Sequence, residues 1–486
     1  MKKGNNTLGN IAWKFSERIT AQVVTLLVSI ILARLLDPEH YGLISIVMIF
    51  ITIANVFVSD GFGSALIQKK DADELDFNSV LWFNLFFSFV LYLILFVFAP
   101  FISNFYGEGY ELITPVLRVL GIRLIVSSIN SVQHAYVAKK MIFKKFFLAT
   151  LFGTLVSGVI GIYMAYSGFG VWALVGQYLA NTTIDTIVLQ FSLKIKPKML
   201  FSFSRLKGLI GFGSRILATN LMIAGYEELR ALIIGKIYTS SDLAFFDRAK
   251  QFPTVITYNI SSSITSVLFP RMSIDQDNIS EVKNIARRSI RFGSYIMCPL
   301  MLGMLGVARP FVSLVLTEKW LPCVPLMQLI CINSLFMPFH TTNMQVIKAL
   351  GRSDITFRVE AIKKLIELVV LICVMRISVF AIVIGMVACS TTFTLINAFP
   401  NIKLINYKLK EQISDVAPSL SMSILMCLIV LAIDLLNIND LYIFVIQIVV
   451  GVTIYLLLSL ITKNPEFKFV ISLIKSSLKK TNNSNN

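Results

Sequence analysis

The chain has 486 residues, of which 56% are hydrophobic and only 15% are charged, and its mean hydropathy is +0.76. Soluble proteins contain about 45–50% apolar and about 25% charged residues, so this composition excludes an ordinary soluble protein and predicts a membrane protein. The net charge of +17 would suggest nucleic-acid binding in a soluble chain, but basic cytoplasmic loops explain it here, and no nucleic-acid partner is expected.

Fourteen apolar stretches are long enough to cross a membrane as helices, at about 20 residues each. Transmembrane strands are excluded because stretches such as 83–98 and 441–460 are apolar on every face. In chain order the stretches cover residues 19–36, 41–60, 78–100, 112–133, 146–166, 170–191, 209–236, 243–268, 291–315, 323–347, 357–376, 379–402, 414–435 and 441–462. The predicted fold is an all-α integral membrane protein with about 14 transmembrane helices.

Lysine and arginine collect in alternate loops, for example at Lys139, Lys140 and Arg287. The loops of the opposite set are short and hold only Lys319 and Arg376. Because positively charged loops stay in the cytoplasm, both termini are predicted to be cytoplasmic.

Residues 99–122 resemble residues 309–332 when the chain is shifted by 210 positions, with Pro100 over Pro310. Chance similarity between two apolar hairpins is one explanation. A duplication is the other, and it would relate two parallel repeats by a pseudo-two-fold axis along the membrane normal. The predicted domains are an N-terminal lobe of helices 1–6 (1–193), a basic cytoplasmic linker (194–207), a C-terminal lobe of helices 7–12 (208–403), and a C-terminal helical hairpin with a basic tail (404–486).

The sequence contains no nucleotide-binding, zinc-protease or serine-hydrolase motif, and its six cysteines lack metal-binding spacing. We therefore expect no catalytic residues, no cofactor and no metal, and a protein that is not an enzyme. Charged residues within the spans then carry the functional hypothesis, since each costs roughly 2.5–3.5 kcal/mol near mid-membrane.

The span at 357–376 carries Glu360, Lys363, Lys364 and Glu367 at positions i, i+3, i+4 and i+7, which lie on one helical face. In one interpretation the face pairs with itself, Glu360 with Lys364 and Lys363 with Glu367. In the other, this face lines an aqueous cavity between the lobes, where Glu367 near mid-membrane takes up and releases an ion or contacts sugar.

Two neighbouring spans carry further charges. Glu227, Glu228 and Arg230 lie within the span at 209–236, and the two acids are candidates for ion coupling. The next span opens with Arg248 and Lys250 and continues with many hydroxyl residues, which is too polar for a lipid-facing helix. Packing between helices through small hydroxyl residues is the alternative explanation.

The first lobe contributes Arg18, Arg118 and Arg123. Buried cations without matching acids suggest an anionic ligand, and the guanidinium fork suits phosphate. Arg18 could instead be an interfacial anchor, and Arg118 could reach outward to the membrane surface. Together with Arg230, Arg248 and Lys250, these residues form the predicted cationic substrate-binding site.

Four segments carry a family resemblance: ILARLLDPEHYGL (31–43), DGFGSALIQ (60–68), VLFPR (267–271) and EKWLPCVPLMQ (318–328). They resemble bacterial polysaccharide flippases of the multidrug/oligosaccharidyl-lipid/polysaccharide exporter superfamily, and the last segment resembles the colanic-acid and teichuronic-acid exporter branch. The resemblance implies fourteen helices in two lobes with alternating access. Arg18 falls where relatives often place a basic residue.

The resemblance also implies the cargo, an undecaprenyl-pyrophosphate-linked oligosaccharide moved from the inner to the outer leaflet of the bacterial cytoplasmic membrane. Membrane lipids, a polysaccharide polymerase and export machinery are the other expected partners. A drug or small-solute exporter of the same superfamily remains an alternative. A membrane-embedded polysaccharide polymerase is disfavoured, because the longest outer loop, 101–112, has only about a dozen residues.

Overall fold

The computed structural model of the protein describes residues 22–69, 71–193, 198–436 and 438–472. All regular structure in these ranges is helical. The α-helices are Gln22–Leu35 (α1), Pro38–Gln68 (α2), Glu74–Tyr106 (α3), Ile113–Leu120 (α4), Ile122–Lys140 (α5), Phe143–Tyr166 (α6), Val171–Leu193 (α7), Phe203–Ile237 (α8), Ser240–Ile274 (α9), Ile279–Val315 (α10), Val324–Ser334 (α11), Met337–Ala349 (α12), Ser353–Val374 (α13), Val379–Leu404 (α14), Leu409–Ile433 (α15), Asp440–Ile461 (α16) and 465–472 (α17). Short 3-10 turns cover Glu318–Cys323 and Asp434–Leu436.

The chain is a multi-pass membrane protein. Among the described residues, nine helical stretches are long and apolar enough to cross a membrane, and the bent helix α8 would make ten. Helices α7, α9 and α13 are absent from this set, because their polar and charged residues lower their hydropathy. All-helical architecture is therefore confirmed, whereas the count of fourteen spans stays a prediction.

Two of the predicted spans are broken helices, so the expectation of one continuous helix in each was wrong. The span at 112–133 is divided into α4 and α5 at Gly121. The span at 323–347 is divided into α11 and α12, and Pro338 stands at the start of α12. Proline lacks a backbone N–H and cannot continue the hydrogen-bond pattern of a preceding helix, which explains the second break.

The chain divides into two compact units, Met1–Ala244 and Phe245–Asn486. In the first unit α2 packs on α5 and α8, and α6 packs on α7; in the second, α10 packs on α12, α15 and α16. Helix α8 thus packs with the first unit, although the sequence repeat assigns it to the second lobe. The lobe boundary at 194–207 follows from the repeat and stays a prediction.

A charge cluster in the first unit fixes the segment before α8 to the start of α3. Asp76 is fully buried, and both of its carboxylate oxygens accept hydrogen bonds from Lys69 Nζ at 2.6 Å. Asp73 accepts a hydrogen bond from the Asp76 amide at 3.0 Å, which lowers the pKa of Asp73, and it pairs with Arg205 at 3.2 Å. The acids therefore belong to α3, and Arg205 reaches them from α8.

A second charge cluster, in the other unit, has the opposite arrangement. Asp415 of α15 is buried and accepts hydrogen bonds from Arg287 at 2.8 and 3.0 Å and from Arg291 at 2.6 Å. The Tyr407 hydroxyl donates to the same carboxylate at 2.7 Å, and burial raises the pKa of Tyr407 so that it stays a donor. Here the bases belong to α10 and the acid to α15, which joins these two helices.

Gly42 marks a very close contact between α2 and the start of α9. A Cβ atom at this position would lie 1.8 Å from the Ser240 carbonyl oxygen. We expect Gly42→Ala to lower stability by about 1–3 kcal/mol, because backbone atoms cannot move aside as side chains do. Thermal unfolding of the purified protein measures this, with Gly63→Ala as control, since a Cβ there meets no atom within 4 Å. Equal melting temperatures for both variants would contradict the packing.

Candidate functional site

A polar seam joins α5 and α7 within the first unit. Arg123 Nε donates to Thr182 Oγ1 at 2.9 Å, its Nη1 lies 3.8 Å from Met48 Sδ, and the guanidinium carbon lies 5.6 Å from the centre of the Tyr178 ring. Among the described residues, no carboxylate oxygen lies within 4 Å of Arg123. The structure therefore places a membrane-embedded cation whose remaining N–H groups could bind an anion.

Further along the same seam, the structure shows an acid that the sequence analysis missed. Asp185 of α7 is buried, and its Oδ2 accepts a hydrogen bond from Asn130 Nδ2 at 2.7 Å and lies 3.1 Å from His134 Nε2. Positions 123, 130 and 134 are separated by seven and four residues and share one face of α5. The signal available in the sequence was a lone acid within the apolar stretch 170–191.

Arg118 is held by α3. Its Nε donates to the Phe96 carbonyl oxygen at 3.2 Å, and its guanidinium carbon lies 4.3 Å from the centre of the Phe96 ring. The side chain is half-buried. This contact explains how the cation is accommodated, and it separates Arg118 from the seam partners of Arg123, so the structure does not bring the two arginines onto a common partner.

The predicted charges of α8 and α9 fall into different environments. Glu227 is exposed, whereas Glu228 and Arg230 are half-buried. Arg248 is only 7% exposed, and its guanidinium carbon lies 5.4 Å from the Trp320 ring centre. Lys250 pairs with its helix neighbour Asp247 at 3.3 Å and lies 4.6 Å from the Phe246 ring centre. Arg18 lies outside the described residues.

The charged face of α13 pairs with itself, but not in the predicted register. Lys363 Nζ lies 2.7 Å from Glu360 Oε1, and Lys364 Nζ lies 3.0 Å from Glu367 Oε2. Both pairs are spaced i,i+3, so the expected i,i+4 pairing was wrong. On a helix surface the two spacings are nearly equivalent, and the packing of Lys363 selects between them, since its Nζ lies 5.7 Å from the Phe393 ring centre.

Burial divides each of these pairs into an inner and an outer member. Lys363 and Glu367 are 13% and 18% exposed, whereas Glu360 and Lys364 are 42% and 43% exposed. Near the inner pair members, His340 Nε2 lies 3.0 Å from Thr394 Oγ1. Within the described residues, no group of three or more His, Cys, Asp or Glu side chains could hold a metal ion.

Comparison with known proteins identifies the family. The model of the polysaccharide biosynthesis protein family matches residues 31–325, which is more than half of the chain. The chain belongs to this family. The resemblance to polysaccharide exporters predicted from the four sequence segments is thereby confirmed, and this agrees with the prediction of a transporter that is not an enzyme.

Two curated relatives have names of the same kind. The chain is 24% identical over 309 residues to the teichuronic acid biosynthesis protein TuaB of Bacillus subtilis (strain 168), covering 63% of each chain. It is 22% identical over 366 residues to the lipopolysaccharide biosynthesis protein WzxC of Escherichia coli (strain K12), covering 75% of this chain and 74% of the relative. The match thus spans less than two thirds of the first relative and about three quarters of the second.

Among solved structures, the chain of this family member is similar to the lipid II flippase MurJ in its inward closed conformation. The TM-score is 0.75 over 93% of this chain and 98% of the MurJ chain, at 15% identity. At this identity the similarity shows a shared fold, and it carries no residue roles from one protein to the other.

Proposed function

We propose that the protein is a flippase that moves undecaprenyl-pyrophosphate-linked oligosaccharides from the inner to the outer leaflet of the bacterial cytoplasmic membrane, by alternating access, for polysaccharide export. The observation that carries this proposal is the family match over residues 31–325. The fold shared with a lipid flippase supports it. A polysaccharide polymerase and export machinery would then be natural partners, since the cargo is a repeat unit.

The cations of the first unit supply the chemistry that such a cargo requires. A pyrophosphate carries several anionic oxygens, and an arginine presents up to five N–H donors in a planar fork. Arg123 fits this role best, because its hydrogen-bond partner Thr182 is neutral. We propose that Arg123 is the principal pyrophosphate ligand and that Arg18, Arg118, Arg230, Arg248 and Lys250 contribute positive charge to the binding site.

An ion gradient is the proposed driving force, with Glu367 as the principal coupling acid and Glu227, Glu228, Glu360, Lys363 and Lys364 as further candidates. Glu367 is the more buried carboxylate of the α13 face, and it lies nine residues before Arg376, or about 14 Å along the helix. Asp185, paired with His134, is an additional buried carboxylate suited to taking up a cation.

We expect Glu367→Gln to reduce transport at least ten-fold at unchanged expression, because a neutral amide cannot take up and release a proton or Na⁺. The double variant Glu367→Gln/Lys364→Gln should stay inactive, although it removes both members of the ion pair. Transport of a fluorescent lipid-linked saccharide in proteoliposomes measures this, with Glu360→Gln/Lys363→Gln as the matched pair. Rescue by the double variant would instead indicate a purely structural pair.

The membrane arrangement belongs to the same proposal. We propose fourteen transmembrane helices in two six-helix lobes related by a pseudo-two-fold axis along the membrane normal, a C-terminal hairpin, and cytoplasmic termini. Single cysteines at Gly107 and Lys140 in a cysteine-free background test the orientation. A membrane-impermeant maleimide should label intact cells at position 107 and not at position 140. The reverse pattern would overturn the orientation.

Reconstitution provides the direct test of the proposed function. Proteoliposomes containing the purified protein and an undecaprenyl-pyrophosphate-linked oligosaccharide should expose inner-leaflet sugar to an external glycosidase faster than protein-free vesicles do. Equal rates, measured with and without an imposed ion gradient, would contradict the proposal. Transport of a small cationic dye without movement of the lipid would favour the drug-exporter alternative.

A further inference from the structure

A cavity of about 700 Å³ opens between α9 and α10 in the second unit. Apolar side chains form most of its wall: Ile260, Ile264, Leu268, Ile285, Phe292 and Ile296. Its volume falls in the range of about 300–1,000 Å³ that is typical of small-molecule sites. An apolar chamber of this size can accept a hydrocarbon chain.

Arg288 and Phe469 stand at the polar end of this cavity. The guanidinium carbon of Arg288 lies 4.4 Å from the centre of the Phe469 ring, and the same ring makes an edge contact with Phe292 at 5.7 Å. Phe469 belongs to α17, so this helix closes one wall. Both residues also line a second, smaller cavity of about 340 Å³ together with Arg287, Arg291 and Glu466. Arg288 therefore lies where the apolar chamber meets a polar one.

The charges around this junction leave Arg288 available for an anion. Arg287 and Arg291 are both paired with Asp415. In contrast, no carboxylate oxygen of the described chain comes within 4 Å of Arg288, which is exposed. Glu466 is buried, and desolvation raises its pKa, so it is a poor counter-charge. Arg271, which also lines the larger cavity, adds a second cation there, although it pairs with Asp275 at 3.2 Å.

We propose that this cavity binds the phosphate of a membrane lipid at Arg288, with a hydrocarbon chain of the same lipid among Ile260, Ile264 and Ile296. Basic pockets between transmembrane helices near the cytoplasmic surface are a known setting for anionic lipid headgroups. The ligand chemistry, a lipid phosphate, is shared by anionic phospholipids and by polyprenyl phosphates. The site is separate from the candidate transport residues, and its occupant also contacts α17 through Phe469.

Lipid-dependent thermal stabilisation of the purified full-length protein in detergent tests the site. Phosphatidylglycerol and undecaprenyl phosphate are compared as ligands, with zwitterionic phosphatidylethanolamine and inorganic phosphate as reference compounds. We expect Arg288→Gln to raise the apparent Kd for the phosphate lipid about ten-fold or more, because it removes a charge-assisted contact. Arg352→Gln is the matched control, since Arg352 is an exposed arginine of the same unit that pairs with Asp354.

A second variant keeps the charge and fills the chamber. Ile264→Trp should weaken binding of the lipid while leaving Arg288 in place, and it should not change the melting temperature measured without lipid by more than a few degrees. Preference for either phosphate lipid supports the proposal and identifies its source. Equal stabilisation by phosphatidylethanolamine, or unchanged affinity in both Arg288→Gln and Ile264→Trp, overturns it. Because the measurement is binding, this result is independent of whether the protein transports oligosaccharides.

Discussion

Arg123→Gln should reduce transport of the lipid-linked oligosaccharide at least ten-fold while leaving the protein no less stable than the wild type. The two effects differ in direction for a physical reason. A cation within a membrane span costs roughly 2.5–3.5 kcal/mol, so its removal relieves a cost of insertion. Arg123 offsets little of this cost, since its described partners are the neutral groups Thr182, Met48 and Tyr178. A pyrophosphate would supply the missing counter-charge.

The measurements are proteoliposome transport and thermal unfolding on the same preparations. Arg123→Lys should restore part of the transport if a point charge suffices, and little if the guanidinium binds two oxygens at once. Arg309→Gln is a suitable control, because Arg309 is a 64% exposed cation of α10 with a long contact of 3.7 Å to Asp434. Full transport by Arg123→Gln, or a large loss of its stability, would remove Arg123 from the mechanism.

Asp415→Asn should cause the largest loss of stability among the substitutions considered. The variant leaves Arg287 and Arg291 without their carboxylate and weakens the hydrogen bond from Tyr407. Breaking a fully buried ion pair costs about 3–5 kcal/mol. The two arginines are 33% and 40% exposed and can turn toward water, so we expect about 2 kcal/mol here.

Thermal unfolding of Asp415→Asn is compared with two milder changes. Tyr407→Phe removes one hydrogen bond and should cost about 1 kcal/mol. Asp434→Asn disrupts a long, partly exposed contact and should cost less than about 1 kcal/mol. A melting temperature of Asp415→Asn equal to that of Asp434→Asn would show that the cluster does not hold α10 and α15 together.

The helical fold was predictable because long apolar stretches have few stable alternatives in a membrane. Each backbone N–H and C=O must be satisfied within the segment, and only a helix achieves this for an isolated stretch such as 441–460. Each predicted span corresponds to one described helix or to two consecutive ones. The breaks were less predictable, since hydropathy does not register Gly121, and Pro338 lies inside a stretch that stays apolar around it.

The candidate site was predictable only in part, because a pattern along one helix does not reveal its neighbours. The α13 face was found from spacing, but its register depended on Phe393 of another helix. Asp185 was missed for the same reason: a single acid has no periodicity, and His134 lies 51 residues before it. Asp415 was treated as the beginning of an ordinary span, because the sequence alone does not show Arg287 beside it.

The two charge clusters at the starts of α3 and α10 have opposite polarity. In the first unit the helix start supplies Asp73 and Asp76 and the incoming segment supplies Arg205. In the second, α10 supplies the arginines and α15 supplies Asp415. An exchange of partners during synthesis would place acid against acid and base against base. The charges therefore act as an address for each segment, so that two similar helix starts in one chain each recruit their own partner.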